Sequence, residues 1–171
     1  MRDGRAADVT ILPVLRWPDA RLAAMCRPVG PGDDVAGLAA DMLATLYHVA
    51  GRGLAAPQVG ALLRLFVMDS GWKQGAPDPK LFVNPAVVAV SDGMATLAEG
   101  CLSIPGISAD VTRPVQVELR WSGLDGTEQQ QWFTGFDATC IQHEMDHLDG
   151  IVTLDRVDAA ARARLLRDYA P

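Results

Sequence analysis

Apolar and polar residues alternate most regularly over residues 115–121, VQVELRW. A period of two predicts a β-strand with one buried face. An Asp-Gly pair at 125–126 is typical of a hairpin turn, so residues 128–133 are predicted to return as the partner strand. Shorter apolar runs predict two more strands, at residues 62–68 and at residues 81–90, the second of them interrupted by a proline.

A helical spacing of apolar residues appears in two other segments, residues 35–49 and 137–148. The aspartate pair at 33–34 suits the start of the first helix, and Gly150 suits a cap after the end of the second. A last short helix is predicted at residues 155–169. Helices combined with several short strands indicate an α+β domain with a mostly antiparallel sheet.

Composition limits the class of protein further. The chain has 171 residues and 49% apolar residues, which predicts a single domain over residues 1–171. A net charge of −6 argues against a nucleic-acid binder, so no DNA partner is expected. No apolar run is long enough for a membrane span, and residues 1–15 do not resemble a signal peptide. Three cysteines, an odd number, favour reduced thiols and a cytoplasmic location.

Residues 143–147 read His-Glu-Met-Asp-His and contain two of the three histidines of the chain. Residues four apart on a helix share one face, so His143 and His147 can bind one metal ion. Glu144 is rotated from His143 by roughly 100° about the helix axis. From there a carboxylate can take a proton from metal-bound water without being a ligand. The pentapeptide therefore indicates a metal site with a general base.

A catalytic site of this kind needs a third protein ligand. Downstream of His147 the candidates are carboxylates, at Asp149, Asp155 and Asp158, and a downstream third ligand is what a zinc endopeptidase would need. Upstream, the thiol of Cys101 is the alternative, because a thiolate binds zinc or ferrous iron well. The residue types and their spacing leave both alternatives open.

Three separated segments resemble motifs of one family, the peptide deformylases. Residues 51–58, GRGLAAPQ, are similar to its G-x-G-x-A-A-x-Q motif. Residues 99–103, EGCLS, and residues 142–147, QHEMDH, match its E-G-C-L-S and Q-H-E-x-D-H motifs. The order and spacing also agree, and the resemblance extends over about residues 12–155. It implies a deformylase-like α+β fold, with a mostly antiparallel sheet packed around a central metal-binding helix.

The resemblance implies a metal-dependent hydrolase that removes the formyl group from formyl-methionyl nascent peptides and releases formate. It also implies the full set of metal ligands: Cys101, His143 and His147. Ferrous iron is the expected metal, and zinc or nickel can occupy such a site. Glu144 would act as general base, while the Gln58 amide and the Leu102 backbone N–H would stabilise the oxyanion.

The same resemblance assigns substrate binding to residues around one pocket: Arg52, Gly53, Leu97, Phe136, Thr139 and Cys140. Glu99 and Arg113 would form an internal ion pair behind the site. Arg52 and Thr139 replace branched apolar residues that are common in the family, and Ser108 replaces a basic residue. These departures predict an altered peptide preference without touching the proposed ligands.

Two alternative functions stay open beside deformylation. One is the zinc endopeptidase, and the other is a deformylase-like paralogue that has altered or lost its use of substrate. The ribosome is a further possible partner, because a basic C-terminal helix is associated with ribosome contact in some family members. Here residues 156–167 carry four arginines, and Asp155, Asp158 and Asp168 are interleaved with them, which favours a solvated amphipathic helix.

Overall fold

The computed structural model describes residues 9–167 and Tyr169, so the expectations about the chain start and about Asp168 lie outside the described residues. The α-helices of this part are α1 (Val35–His48), α2 (Gly135–Leu148) and α3 (Ala159–Arg167). The strands are β1 (Gly53–Ala55), β2 (Leu65–Met68), β3 (Lys80–Val90), β4 (Met94–Cys101), β5 (Ile104–Pro114), β6 (Gln116–Ser122) and β7 (Glu128–Thr134). Short 3-10 helices cover Ala20–Ala23, Ala56–Val59, Trp72–Gln74 and Thr153–Asp155.

Five strands form one antiparallel sheet in the order β1-β2-β3-β6-β7, and β4 and β5 form a separate antiparallel hairpin. The predicted α+β class with an antiparallel sheet is confirmed. Strands β6 and β7 pair without interruption, from Gln116 opposite Thr134 to Ser122 opposite Glu128. Their turn closes through the Gly126 N–H, which donates to the Gly123 carbonyl at 3.1 Å.

The predicted boundaries of α1 and α2 agree closely with the observed ones. Helix α1 begins after Asp34, whose carboxylate accepts a hydrogen bond from the Gly37 N–H at 2.9 Å. Helix α2 ends at Leu148, and Gly150 follows with φ at 73°. This left-handed conformation is costly for a residue with a side chain, which explains the glycine at that position.

Helix α2 lies centrally, in contact with the five-stranded sheet and with β5. Its residues Ile141 and Leu148 are fully buried in a cluster with aromatic side chains of the sheet, namely Phe66, Phe82, Trp121 and Phe133. The rings of Phe66 and Phe82 stack with their centroids 4.4 Å apart. An aromatic pair contributes about 0.5–1.5 kcal/mol beyond its buried area. The cluster therefore fixes the position of the helix that carries the candidate chemistry.

Two sequence predictions about elements were wrong, and one hairpin was missed. The last helix begins only at Ala159, because residues 153–155 form a separate 3-10 turn. Strand β3 is not interrupted by Pro85, since a register shift between Val83 and Ala86 accommodates the proline. The hairpin of β4 and β5 was not predicted, because apolar and polar residues do not alternate along β4, most of which is exposed.

Candidate metal centre

Three buried side chains with metal-binding atoms meet where α2 faces the turn between β4 and β5. Cys101 ends β4, while His143 and His147 lie on α2. Their ligand atoms all lie within 4.8 Å of one another, and Cys101 Sγ is 3.3 Å from His147 Nε2. In the described part of the chain no other such group occurs. The fold thus brings together donors that lie up to 46 positions apart in the sequence.

This donor set fits a catalytic metal ion in number, type and burial. A thiolate with two imidazoles suits zinc or ferrous iron, and three protein ligands leave a coordination position open. His143 Nδ1 lies 3.0 Å from Glu99 Oε2, so this carboxylate orients the ring and leaves Nε2 for the cluster. Burial lowers the pKa of His147 well below its usual value. That residue therefore stays a neutral imidazole, which is the form that binds metals.

The carboxylates downstream of α2 lie outside this group and have other partners. Asp149 and Asp155 each pair with an arginine at 2.7 Å. Asp158 accepts a hydrogen bond from the Ala161 backbone N–H at 2.7 Å, near the start of α3. The side chain that lies with the two histidines is that of Cys101. The endopeptidase alternative therefore lacks its downstream third donor in this arrangement.

Glu144 lines the same cavity as Cys101 and His143 and has an unpaired carboxylate oxygen. The residue is 3% exposed, and its Oε2 has no hydrogen-bond partner among the described residues. Burial raises the pKa of Glu144 to about 7. A carboxylate with a pKa near the working pH is suited to accept a proton and return it. A Cβ on Gly53 would collide with Glu144 Oε1, so only glycine fits beside this group.

Gln58 and Leu102 line the same cavity. Gln58 is 1% exposed, and its Oε1 accepts a hydrogen bond from the Ala55 N–H at 2.9 Å, which fixes the amide orientation. Its Nε2 then lies 3.2 Å from Ser103 Oγ and 3.7 Å from Cys101 Sγ. Leu102 lies in the tight turn between β4 and β5, outside the ladder. The fold therefore holds the Gln58 amide in one orientation, with Nε2 on the side of Cys101.

A buried network of charged residues lies behind the donor set. Arg113 donates to Glu99 Oε1 at 2.6 Å, to Glu99 Oε2 at 3.0 Å and to Asp146 at 3.0 Å. Asp146 also accepts hydrogen bonds from Arg156. Burial alone raises the pKa of Glu99, but hydrogen bonds from His143 and Arg113 outweigh it and lower the pKa. Sequence reasoning missed Asp146 and Arg156, although Asp146 stands inside the His-Glu-Met-Asp-His segment.

A cavity of about 470 Å³ opens beside the donor set. It is lined by every residue that the family resemblance assigned to substrate binding: Arg52, Gly53, Leu97, Phe136, Thr139 and Cys140. Leu97 and Phe136 are each 48% exposed and form an apolar rim. Thr139 Oγ1 donates to the Gly135 carbonyl at 3.3 Å, so its hydroxyl is satisfied within α2. Burial raises the pKa of Cys140 well above its usual value, which keeps this thiol protonated.

Comparisons with known proteins point to one family. The family profile described as Polypeptide deformylase matches residues 11–163. The chain belongs to the peptide deformylase family. A peptide deformylase of Rhodopseudomonas palustris (strain BisB18) is 42% identical over 155 residues, which cover 89% of each chain. Peptide deformylases are metal-dependent hydrolases that remove the formyl group from the N-terminus of nascent peptides, and this chain is a member of that enzyme family.

Solved deformylase structures share the fold, and the predicted deformylase-like architecture is confirmed. The deformylase of Synechococcus elongatus in complex with actinonin superposes with a TM-score of 0.87 at 35% identity, covering 91% of this chain and 86% of that one. A Met-Ala-Ser-bound deformylase of Acinetobacter baumannii gives 0.79 at 32% identity, covering 86% and 99%. None of the described helices is long and apolar enough to cross a membrane.

Proposed function

We propose that this deformylase holds ferrous iron through Cys101, His143 and His147, with zinc or nickel as replacement metals. The proposal is supported by the burial and mutual proximity of a thiol and two imidazoles, ligands that iron and zinc accept readily. When bound, the metal would acidify a coordinated water and polarise the formyl carbonyl. The chain would act in the cytoplasm as a single domain over residues 1–171.

In this proposal Glu144 is the general base. It accepts a proton from the attacking water as that water adds to the formyl carbon, and it then donates the proton to the departing amine. A pKa of about 7 suits both halves of this exchange. Oε2, which has no partner among the described residues, is the oxygen available for the proton.

The oxyanion that develops on the formyl oxygen would be stabilised by the Gln58 side-chain amide and the Leu102 backbone N–H. Gln58 Nε2 is directed toward the donor set because Oε1 is bound by the Ala55 N–H. Donors fixed in advance stabilise a developing charge without reorganisation. Gly53 would allow the peptide backbone to approach Glu144 closely, since a side chain there would collide with the carboxylate.

The proposed substrates are N-formylmethionyl nascent peptides. The methionine side chain would enter the cavity between Leu97, Phe136 and Cys140, whose apolar surfaces suit a thioether chain. Thr139 lines the same wall, and as a polar residue it leaves less apolar surface for the methionine side chain to contact. The ribosome would be a second, weaker partner through the arginines of α3.

The main support for this proposal is that the ligand atoms of Cys101, His143 and His147 lie close together in the cavity that Glu144 lines. We expect protein prepared without oxygen to contain iron and to release formate from formyl-Met-Ala-Ser. Preparation in air should lower the iron content and the rate of formate release, because ferrous iron on a thiolate is prone to oxidation. Elemental analysis and a formate assay on the same sample measure the two quantities. Iron-loaded protein that releases no formate would contradict the proposal.

The ligand set is tested in the same experiment by two cysteine variants. Cys101→Ala should lose iron and activity together, because it removes one of three protein ligands. Cys26→Ala is the matched control, since Cys26 is also buried but lies in the hydrophobic core with no metal-binding partner among the described residues. Retention of metal by Cys101→Ala would favour the endopeptidase alternative instead.

Gln58→Glu should lower kcat by about 100- to 1,000-fold, the usual cost of losing one oxyanion donor. The glutamate keeps the shape of the side chain and the acceptor for the Ala55 N–H. It replaces the NH2 group of the amide, which is the proposed donor, by a carboxylate oxygen. The substitution therefore removes the proposed oxyanion donor and keeps the hydrogen bond from the Ala55 N–H. Steady-state formate release measures the effect. Gln131→Glu, the same change at an exposed position, should leave kcat unchanged.

A further inference from the structure

Arg52 places in the wall of the substrate cavity a positive charge that no described residue compensates by an ion pair. Its Cζ lies 5.0 Å from the centre of the Phe136 ring. With the Gln74 amide turned so that its oxygen and nitrogen both face suitable partners, Arg52 Nη2 donates to the Gln74 oxygen at 2.9 Å. Nε is buried without a hydrogen-bond partner among the described residues. No described carboxylate forms an ion pair with this guanidinium. A guanidinium without a carboxylate partner among the described residues can pair with a carboxylate of a ligand through its remaining N–H groups.

The other charged residues of the cavity do not neutralise Arg52. Glu99 is held by Arg113, and Glu144 is the proposed general base. Lys73 lines the same cavity and likewise pairs with no carboxylate in the described ranges. Within the described part of the chain, two cations without a carboxylate partner thus border one cavity, although the net charge of the protein is −6. This local reversal of sign is what a site for an anionic ligand group requires.

The position of Arg52 defines which part of a substrate it can reach. It precedes Gly53, whose backbone lies against the Glu144 carboxylate. Neighbouring Cα atoms are about 3.8 Å apart, and an extended peptide advances about 3.3 Å per residue. A peptide whose formyl group lies at Glu144 therefore brings the first or second residue after methionine within reach of the guanidinium.

We propose that Arg52 binds a carboxylate that lies within two residues of the formylated methionine, and that this chain therefore prefers anionic formyl peptides. The inference rests on the proposed function, because it takes the formyl group to react at Glu144. The carboxylate has two possible sources, an aspartate or glutamate side chain or the free C-terminus of a short peptide. A guanidinium matches either one through paired N–H donors.

Two pairs of peptides distinguish the sources. Formyl-Met-Asp-Ala amide against formyl-Met-Asn-Ala amide tests the side chain, and formyl-Met-Ala with a free C-terminus against its amide tests the terminal carboxylate. We expect kcat/KM to be about tenfold higher for the charged member of at least one pair, as for a charge-assisted hydrogen bond. Arg52→Gln should abolish this difference. Arg120→Gln removes the same charge from an exposed residue of β6 and should preserve it.

A binding measurement makes the test independent of turnover. Calorimetry with the product peptides Met-Asp-Ala amide and Met-Asn-Ala amide, or with Met-Ala acid and its amide, should show the same preference and its loss in Arg52→Gln. Equal kcat/KM within both pairs, or a preference that survives in Arg52→Gln, would overturn the inference and leave deformylation intact. If no formyl peptide is hydrolysed but products bind with an Arg52-dependent preference, the proposed function fails and the carboxylate site stands.

Discussion

Glu144→Gln should lower kcat for formate release by roughly 100- to 10,000-fold, the range expected for loss of a general base. The amide has the size of the carboxylate but accepts no proton at neutral pH. Because Glu144 is not one of the three proposed metal ligands, the variant should keep its metal. KM should change little, since the residue acts on the attacking water rather than on the peptide. Steady-state kinetics and elemental analysis on the same preparation measure all three quantities.

Glu128→Gln serves as the control for this prediction, because it makes the same chemical change at an exposed residue of β7. It should match the unsubstituted enzyme in kcat, KM and metal content. A Glu144→Gln variant that retains both metal and full activity would remove Glu144 from the mechanism. It would also support the alternative in which the cavity binds peptides without hydrolysing them.

Arg113→Met should lower the free energy of unfolding by about 3–5 kcal/mol, the usual cost of breaking a buried ion pair by removing one partner. Arg113 is 7% exposed and contacts Glu99, 5% exposed, and Asp146, 10% exposed. The substitution leaves Glu99 without its cation in a region where water cannot replace it. Urea denaturation monitored by circular dichroism measures the loss, at a fixed metal concentration.

The exposed pair of Arg120 and Glu128, 3.9 Å apart, provides a matched comparison. Arg120→Met should cost no more than about 1 kcal/mol, because water screens a surface pair. In the Arg113→Met background, Glu99→Gln should recover part of the stability by removing the unpaired charge. Equal losses for the buried and exposed arginines would show that the charge network does not stabilise this fold.

The part of the candidate site that lies on α2 could be predicted because it depends on local periodicity. The spacing of His143 and His147 places both rings on one helix face wherever the helix packs. Their partner Cys101 could not be chosen from spacing alone, since Asp149, Asp155 and Asp158 were equally available along the chain. That choice depends on how the β4–β5 hairpin meets α2, and only the motif resemblance pointed to it.

The charge network shows a different limit of sequence reasoning. Arg113 and Asp146 stand 33 positions apart, and either could be an ordinary solvated residue. Their pairing arises because β5 and α2 pack together and bury both side chains. Strand β4 was missed for a related reason, since its apolar and polar residues do not alternate and its pairing depends on β5. Patterns along the sequence therefore did not predict contacts between elements that are far apart in the chain.

The three proposed ligands also join two parts of the molecule that have no common sheet. Cys101 belongs to the β4–β5 hairpin, and both histidines belong to α2, so a metal ion bound by all three closes a long loop. Such an ion acts as a reversible cross-link, and its binding free energy adds to the stability of the folded chain. The melting temperature of this enzyme should consequently rise with the concentration of free metal, because a larger fraction of the sites then holds an ion.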